Sequence, residues 1–117
     1  SGKTHLSYVD NATQTLKHAI FDGTAWQVEA VDSGAFGATA IAAGPQGSIH
    51  MSYYDIATGT LKHAYLPEGG QWSINIVAQG GDDGSFNDIS VDSAGTPHIA
   101  FYDAGGEQLK YGTGVRQ

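Results

Sequence analysis

A stretch of about sixteen residues, written three times along the chain, constrains the fold more than any other feature. The clearest copy runs from His50 to Tyr65 and reads HMSYYDIATGTLKHAY, and residues 5–20 match it at 11 of 16 positions. A third and more divergent copy begins with HIAFYD at His98 and continues with LKYG at Leu109. Self-similarity at a fixed period is typical of repeat architectures, in which stacked units bury a common core.

The period of the repeat is about 46 residues, because Trp26 and Trp72 lie 46 positions apart. That period falls in the range of β-propeller blades. In the one complete unit, runs rich in Tyr, Ile, Val and Trp alternate with Gly, Asp and Pro clusters, which is typical of short strands joined by hairpins. The predicted strands of this unit are about residues 36–43, 49–54, 60–66 and 72–78.

The sequence predicts an all-β fold with essentially no helix, since no segment shows a long 3.6-residue apolar period. We expect a β-propeller segment of four-stranded antiparallel blades, with about two and a half repeats per chain and not closed as a single chain. Residues 1–117 form one domain in this prediction. Residues 1–35 make an incomplete blade lacking its first strand, residues 36–80 a complete blade, and residues 81–117 an incomplete blade lacking its fourth strand.

The second strand of each unit carries bulky or polar side chains on both faces, as packing between two neighbouring blades requires. We expect Met51 and Tyr53 to face one neighbour, together with their equivalents Leu6, Tyr8, Ile99 and Phe101. His50, Ser52 and Tyr54 face the other neighbour. Propellers usually close with about four to eight blades. The chain is therefore expected to form a cyclic homo-oligomer, such as a dimer with six sheets, or to need the missing remainder of a larger propeller. Its start at Ser1 without Met predicts that it is a processed or excised piece.

Composition limits the classes of partner. Five Lys and Arg against 12 Asp and Glu give a net charge of −7, which argues against nucleic acid and anionic membranes and mildly favours cationic partners. The chain has no Cys, which excludes disulfides, thiol catalysis and thiolate metal sites. No apolar stretch approaches the roughly 18 residues of a membrane span. We predict no nucleic-acid partner, no membrane partner and no cofactor.

Repeated polar residues have both a structural and a functional interpretation. His5, His50 and His98 could converge on a metal, but a hydrogen bond within or between blades is the preferred interpretation, and no metal is predicted. Asp and Lys seven residues apart, as in Asp55 and Lys62, indicate a hairpin ion pair or a capped turn rather than a ligand site. Trp26 and Trp72 could stack on a sugar, although blade packing is preferred. The acidic segment 80–88 lacks the spacing of a Ca²⁺ loop. It is interpreted as a crossover between blades, and Phe86 here, or Phe36 in the corresponding earlier crossover, is expected to fill the blade interface.

The segments HMSYYD at His50, LKHA at Leu61 and QW at Gln71 resemble bacterial β-propeller repeats whose blades read roughly D-x-x-G-x-x-H-I-S-Y-Y-D, then L-K-Y-A, then G-x-W. The resemblance covers nearly the whole chain. More distantly, DGTAW at Asp22 is similar to a shortened sialidase-type Asp box, and EGGQW at Glu68 departs further from it. The Asp box is structural in that family. The resemblance implies a propeller and an extracellular or cell-surface bacterial location.

No nucleophile motif, phosphate loop or supported carboxylate pair is present, so the protein is predicted not to be an enzyme and no catalytic residue is assigned. We expect a module that self-assembles into a ring and binds a ligand, carbohydrate first, on one acidic rim of loops. One alternative is a structural or assembly fragment, excised or engineered, with no ligand. Another is a fragment of a sialidase-like glycosidase, but such an enzyme needs a cluster of Arg residues for its acidic substrate and Arg116 is the single Arg. The predicted rim residues are Asp10, Asn11, Thr13, Asp32, Asp55, Thr58, Asp82, Asp83 and Asp103.

Overall fold

The computed structural model describes residues 3–79, 83–103 and 105–113, and these form ten strands with one short 3-10 turn at Pro45–Gly47. No helix in these ranges is long and apolar enough to cross a membrane. The strands are β1 (Thr4–Asp10), β2 (Thr15–Phe21), β3 (Trp26–Ser33), β4 (Phe36–Ala43), β5 (Ile49–Asp55), β6 (Thr60–Leu66), β7 (Ser73–Ala78), β8 (Asp83–Val91), β9 (Pro97–Asp103) and β10 (Gln108–Thr113).

The ten strands build three small antiparallel sheets, none of which closes on itself. The first sheet has the order β1-β2-β3, the second β4-β5-β6-β7, and the third β10-β9-β8. The all-β, propeller-like fold class predicted from the repeat is confirmed. In the second sheet, β4 and β6 have the predicted bounds, β5 extends one residue further to Asp55, and β7 begins one residue later at Ser73.

The three copies of the repeat form antiparallel hairpins with the same register. The copies form the hairpins β1-β2, β5-β6 and β9-β10, in which Leu6, Met51 and Ile99 pair with Ala19, Ala64 and Gly112 respectively. Because the hairpin register is the same, residues at equal repeat positions point to the same face of their own sheet. The copies can therefore be compared residue by residue.

Two apolar clusters fill the seams between consecutive sheets. In the first seam, Met51 and Tyr53 of the second sheet pack with Leu16 of the first, and all three side chains are fully buried. In the second seam, Ile99 and Phe101 of the third sheet pack in one cluster with Leu61 of the second. The predicted direction of these side chains is thus observed wherever a preceding sheet exists.

Burial at one repeat position depends on whether a neighbouring sheet is present. Leu6 and Tyr8 are 47% and 38% exposed, although their equivalents Met51 and Tyr53 are 0% exposed. Phe36 is buried against Tyr53, whereas Phe86 is exposed. At the irregularity in its pairing, β8 advances four positions, from 83 to 87, whereas β4 advances three, from 36 to 39, and this offsets Phe86 from the position of Phe36.

An ion pair closes each repeated hairpin. The Lys17 ammonium lies 3.1 Å from Asp10, Lys62 lies 2.8 Å from Asp55, and the corresponding distance from Lys110 to Asp103 is 2.7 Å. The second oxygen of each carboxylate accepts a backbone N–H of the following turn. Hydrogen bonds from the lysines lower the pKa of Asp10 and of Asp103 below the usual value. These residues act as turn caps and cross-strand partners, which is the interpretation preferred from the sequence.

Candidate functional site

Two of the hairpin turns predicted to form the acidic rim meet at the crossover between the first and second sheets. The Gly34 N–H donates to the carbonyl oxygen of Gln14, and the Ile56 N–H donates to that of Ala35, so the crossover after β3 joins the turns of two sheets. Asn11, Thr13 and Thr58 are exposed on these turns. The ligand-binding role of this rim stays a prediction.

The acids of this rim mostly serve the fold. Asp10, Asp55 and Asp103 are held in the hairpin ion pairs described above, and Asp32 accepts a hydrogen bond of 2.9 Å from the Tyr53 hydroxyl. Asp83 begins β8, where its backbone pairs with Asp103. Asp82, like Arg116, lies outside the described residues.

The link between Asp32 and Tyr53 belongs to the first seam only. Asp32 pairs with Leu16 in the first sheet, and the same register position in the second sheet is Ala78, which pairs with Leu61. The third sheet correspondingly carries Phe101 where the second carries Tyr53. A carboxylate facing a hydroxyl at one seam is thus replaced by a methyl facing a phenyl at the next.

We expect Tyr53→Phe to lower the free energy of unfolding by about 1–3 kcal/mol, because Asp32 loses a donor in a partly buried seam. The double variant Tyr53→Phe with Asp32→Ala reproduces the second seam and is expected to show a coupling energy of about 1–2 kcal/mol in a urea-denaturation cycle. Additive effects of the two substitutions would show that the hydrogen bond contributes nothing.

A cleft opens on the opposite rim, between the first and second sheets. It has a volume of about 360 Å³, within the range of about 300–1,000 Å³ typical of small-molecule sites. The first sheet contributes one wall, and two turns of the second sheet, after β4 and after β6, contribute the other. The lining of the cleft includes Lys3, His5, His18, Ile20, Glu29, Gly47, Ile49, Leu66, Pro67 and Glu68.

A chain of three hydrogen-bonding side chains crosses the wall of the first sheet. His18 Nδ1 lies 2.8 Å from the Glu29 carboxylate, and His18 Nε2 lies 2.9 Å from His5 Nδ1. With both rings neutral, His18 Nδ1–H donates to Glu29, and His18 Nε2 accepts from His5 Nδ1–H. His5 Nε2 is then left as an acceptor with no hydrogen-bond partner among the described residues. The wall therefore offers an imidazole lone pair to a hydroxyl donor.

The surroundings of His5 favour its neutral form. Partial burial lowers the pKa of His5, and the neighbouring His18 and the Lys3 ammonium lower it further. Glu29, whose side chain is 48% exposed, anchors the far end of the chain. The acceptor on His5 is thus available at neutral pH.

The opposite wall combines a carboxylate with apolar surface. A Cβ on Gly47 would stand 2.6 Å from Glu68 Oε2, so only glycine, here at φ +75°, lets this carboxylate lie against the turn. Ile49, Leu66 and Pro67 supply apolar atoms. Two carboxylates, one ammonium, an imidazole acceptor and aliphatic walls suit a neutral polyhydroxylated ligand, which needs both hydrogen bonds and apolar contact.

Trp72 closes the base of this seam. Its ring meets His18 edge-on at a centroid distance of 5.5 Å and packs on the first apolar cluster. Trp72 is therefore a packing residue, as preferred from the sequence. Trp26, at the same repeat position, is 50% exposed and contacts Phe21, because no described sheet precedes its own.

The second sheet contains an equivalent chain of histidines, which is buried in the second seam and not open to a cleft. His50 Nδ1 lies 2.9 Å from His63 Nε2, and His63 Nδ1 lies 3.0 Å from Asn75 Oδ1. Both rings are fully buried, the ring centroids of Tyr65 and His50 lie 4.8 Å apart, and His50 Nε2 has no hydrogen-bond partner within the described part of the chain. In the first sheet Ile20 takes the place of Tyr65, and among the described residues no strand equivalent to β4 covers His5. The cleft is open at the first seam for these two reasons.

Each histidine singled out in the sequence is thus found in a hydrogen bond within its own sheet, and His98 likewise pairs with Tyr111 and Asp92. Among residues 3–79, 83–103 and 105–113, no cluster of three or more His, Asp or Glu could hold a metal ion. The sequence signal for the cleft was the pair of histidines 13 residues apart, followed 11 residues later by Glu29. Spacing alone did not show that this pair faces a gap.

No protein-family model and no curated protein matches the chain. Among solved structures, the chain is similar to a fucose lectin from Kordia zhangzhouensis in complex with methyl-fucoside. The TM-score is 0.58 and the sequence identity is 15%, over 98% of this chain and 91% of that chain. At this identity the likeness shows the fold alone.

Proposed function

We propose that the protein is a non-catalytic carbohydrate-binding module whose ligand enters the cleft between the first and second sheets. The observation that carries the proposal is the imidazole acceptor of His5, held by His18 and Glu29 beside aliphatic surface in a cleft of suitable size. The similar fold of a fucose lectin supports the same class of function. The acidic rim predicted from the sequence is the alternative location for the ligand.

A glycan array probed with the intact chain tests the function, followed by titration with methyl-fucoside observed by NMR. We expect binding of neutral glycans and weaker binding of sialylated ones, because Glu29 and Glu68 both face the cleft. Ligand-induced shifts on His5 and Ile20 would locate the ligand in the cleft, and shifts on Asn11, Thr13 and Thr58 would locate it on the acidic rim. A blank array would contradict the function at both places.

Replacement of His5 by phenylalanine is expected to weaken glycan affinity about 5- to 10-fold, which corresponds to one hydrogen bond of about 1–1.4 kcal/mol. The control is Asn11→Ala, because Asn11 is exposed on the acidic rim, away from the cleft. Isothermal titration of both variants measures the difference. Equal loss of affinity in the two would place the ligand elsewhere.

The proposal includes self-assembly into a ring, which the two uncovered end sheets support. The alternative is that the missing remainder of a larger propeller covers them, or that the module is a structural fragment without a ligand. Light scattering of the pure chain separates these cases. A mass that is a sharp multiple of the 12.2 kDa chain supports assembly, and a monomer at all concentrations contradicts it.

A further inference from the structure

The two ends of the molecule present uncovered faces of different kinds. The leading face is the outer side of the first sheet and carries Leu6, Tyr8, Trp26 and Val28, which are 38–52% exposed. The trailing face is the outer side of the third sheet and carries Phe86, Leu109 and Tyr111, which are 63–79% exposed. Exposed apolar side chains grouped on one face mark an interaction surface.

The chain itself shows what each face contacts when a neighbour is present. The equivalents of Leu6 and Tyr8 are Met51 and Tyr53 in one sheet and Ile99 and Phe101 in the next, and all four are buried against the preceding sheet. The equivalents of Leu109 are Leu16 and Leu61, and both are fully buried against the following sheet. Leading positions therefore meet trailing positions at both internal seams.

We propose that the leading face of one chain docks on the trailing face of a second copy, head to tail. The inference rests on the self-assembly in the proposed function and names the surfaces and their polarity. Leu109 of one copy then packs between Leu6 and Tyr8 of the next, as Leu16 packs with Met51 and Tyr53 within the chain. A pairing whose twofold axis passes through the contact would instead place leading on leading or trailing on trailing, contacts that neither internal seam contains.

The polarity makes a complementation experiment decisive. Leu6→Glu disables the leading face and Leu109→Glu the trailing face, and both residues are exposed enough to tolerate the change. Each variant alone is expected to be a monomer by light scattering, since every head-to-tail contact needs one face of each kind. Mixed in equal amounts, they are expected to form a one-to-one pair of about twice the 12.2 kDa chain mass, through the two faces left intact.

Each other outcome overturns the proposal. If Leu109→Glu still associates alone, the contact is leading on leading; if Leu6→Glu does, it is trailing on trailing. If the mixture stays monomeric, the leading and trailing faces do not bind one another. A monomeric wild type would contradict the same claim and would also remove ring assembly from the proposed function. Far-UV circular dichroism checks folding, and the pair Leu6→Lys and Leu109→Lys repeats the test with opposite charge. Because no glycan is used, the outcome is independent of carbohydrate binding.

Discussion

Replacement of Leu61 by alanine is expected to lower the free energy of unfolding by about 2–5 kcal/mol. Leu61 is 0% exposed and packs in the second seam with Ile89, Ile99 and Phe101. Truncation removes apolar contact and leaves a cavity between two sheets that cannot close without moving relative to one another. Urea denaturation followed by circular dichroism measures the loss.

The control is Ile56→Ala, in the exposed turn after β5, where the side chain is 53% exposed. Its effect is expected to stay within about 0.5 kcal/mol. Leu109→Ala tests the same repeat position as Leu61 in the third sheet. Its effect on the free energy of unfolding is expected to be small in dilute protein and to grow with protein concentration, because copies then associate. A loss at Leu61 as small as that at Ile56 would mean that the second seam is not a tightly packed core.

Acidification from pH 6.5 to pH 4 is expected to destabilise the fold by about 2–3 kcal/mol through His50 alone. Burial, and next the neighbouring His63, lower the pKa of His50 from 6.5 to about 4. Burial also lowers the pKa of His63, against a smaller opposing effect of its hydrogen bond to Asn75. The unfolded chain takes up protons below pH 6.5 that the folded chain rejects until about pH 4, so stability falls across that window and levels off below it.

The carboxylates of Asp10 and Asp103 lose their contribution to stability at a lower pH than His50 does. Hydrogen bonds to Lys17 and Lys110 lower the pKa of Asp10 and Asp103 below 3.8, so the stability they provide is lost only below about pH 4. His50→Gln removes the main titrating group and is expected to flatten the curve between pH 6.5 and 4. Chemical denaturation at half-unit steps of pH measures both curves. A wild-type stability that is constant from pH 7 to pH 4.5 would contradict the prediction.

The repeat made the fold predictable because one hairpin register was imposed three times. The bounds of β4 and β6, the hairpin ion pairs and the direction of Met51 and Tyr53 all follow from that register. The cleft did not follow, because it depends on the surroundings of His5, where no strand of the described residues corresponds to β4 and Ile20 stands in place of an aromatic residue. A repeat pattern describes what its copies share, whereas the candidate site lies where one copy differs in its surroundings.

The exchange of the Asp32 and Tyr53 pair for Ala78 and Phe101 bears on how such a chain diversifies after duplication. The two partners of each pair lie in different sheets, so a change on one side of a seam is matched across the seam and not within the duplicated unit. A chain with its sheets reordered would set the Tyr53 hydroxyl against Ala78 and leave Asp32 facing a phenyl ring. The side chains at the two seams therefore distinguish this order of the sheets from any other.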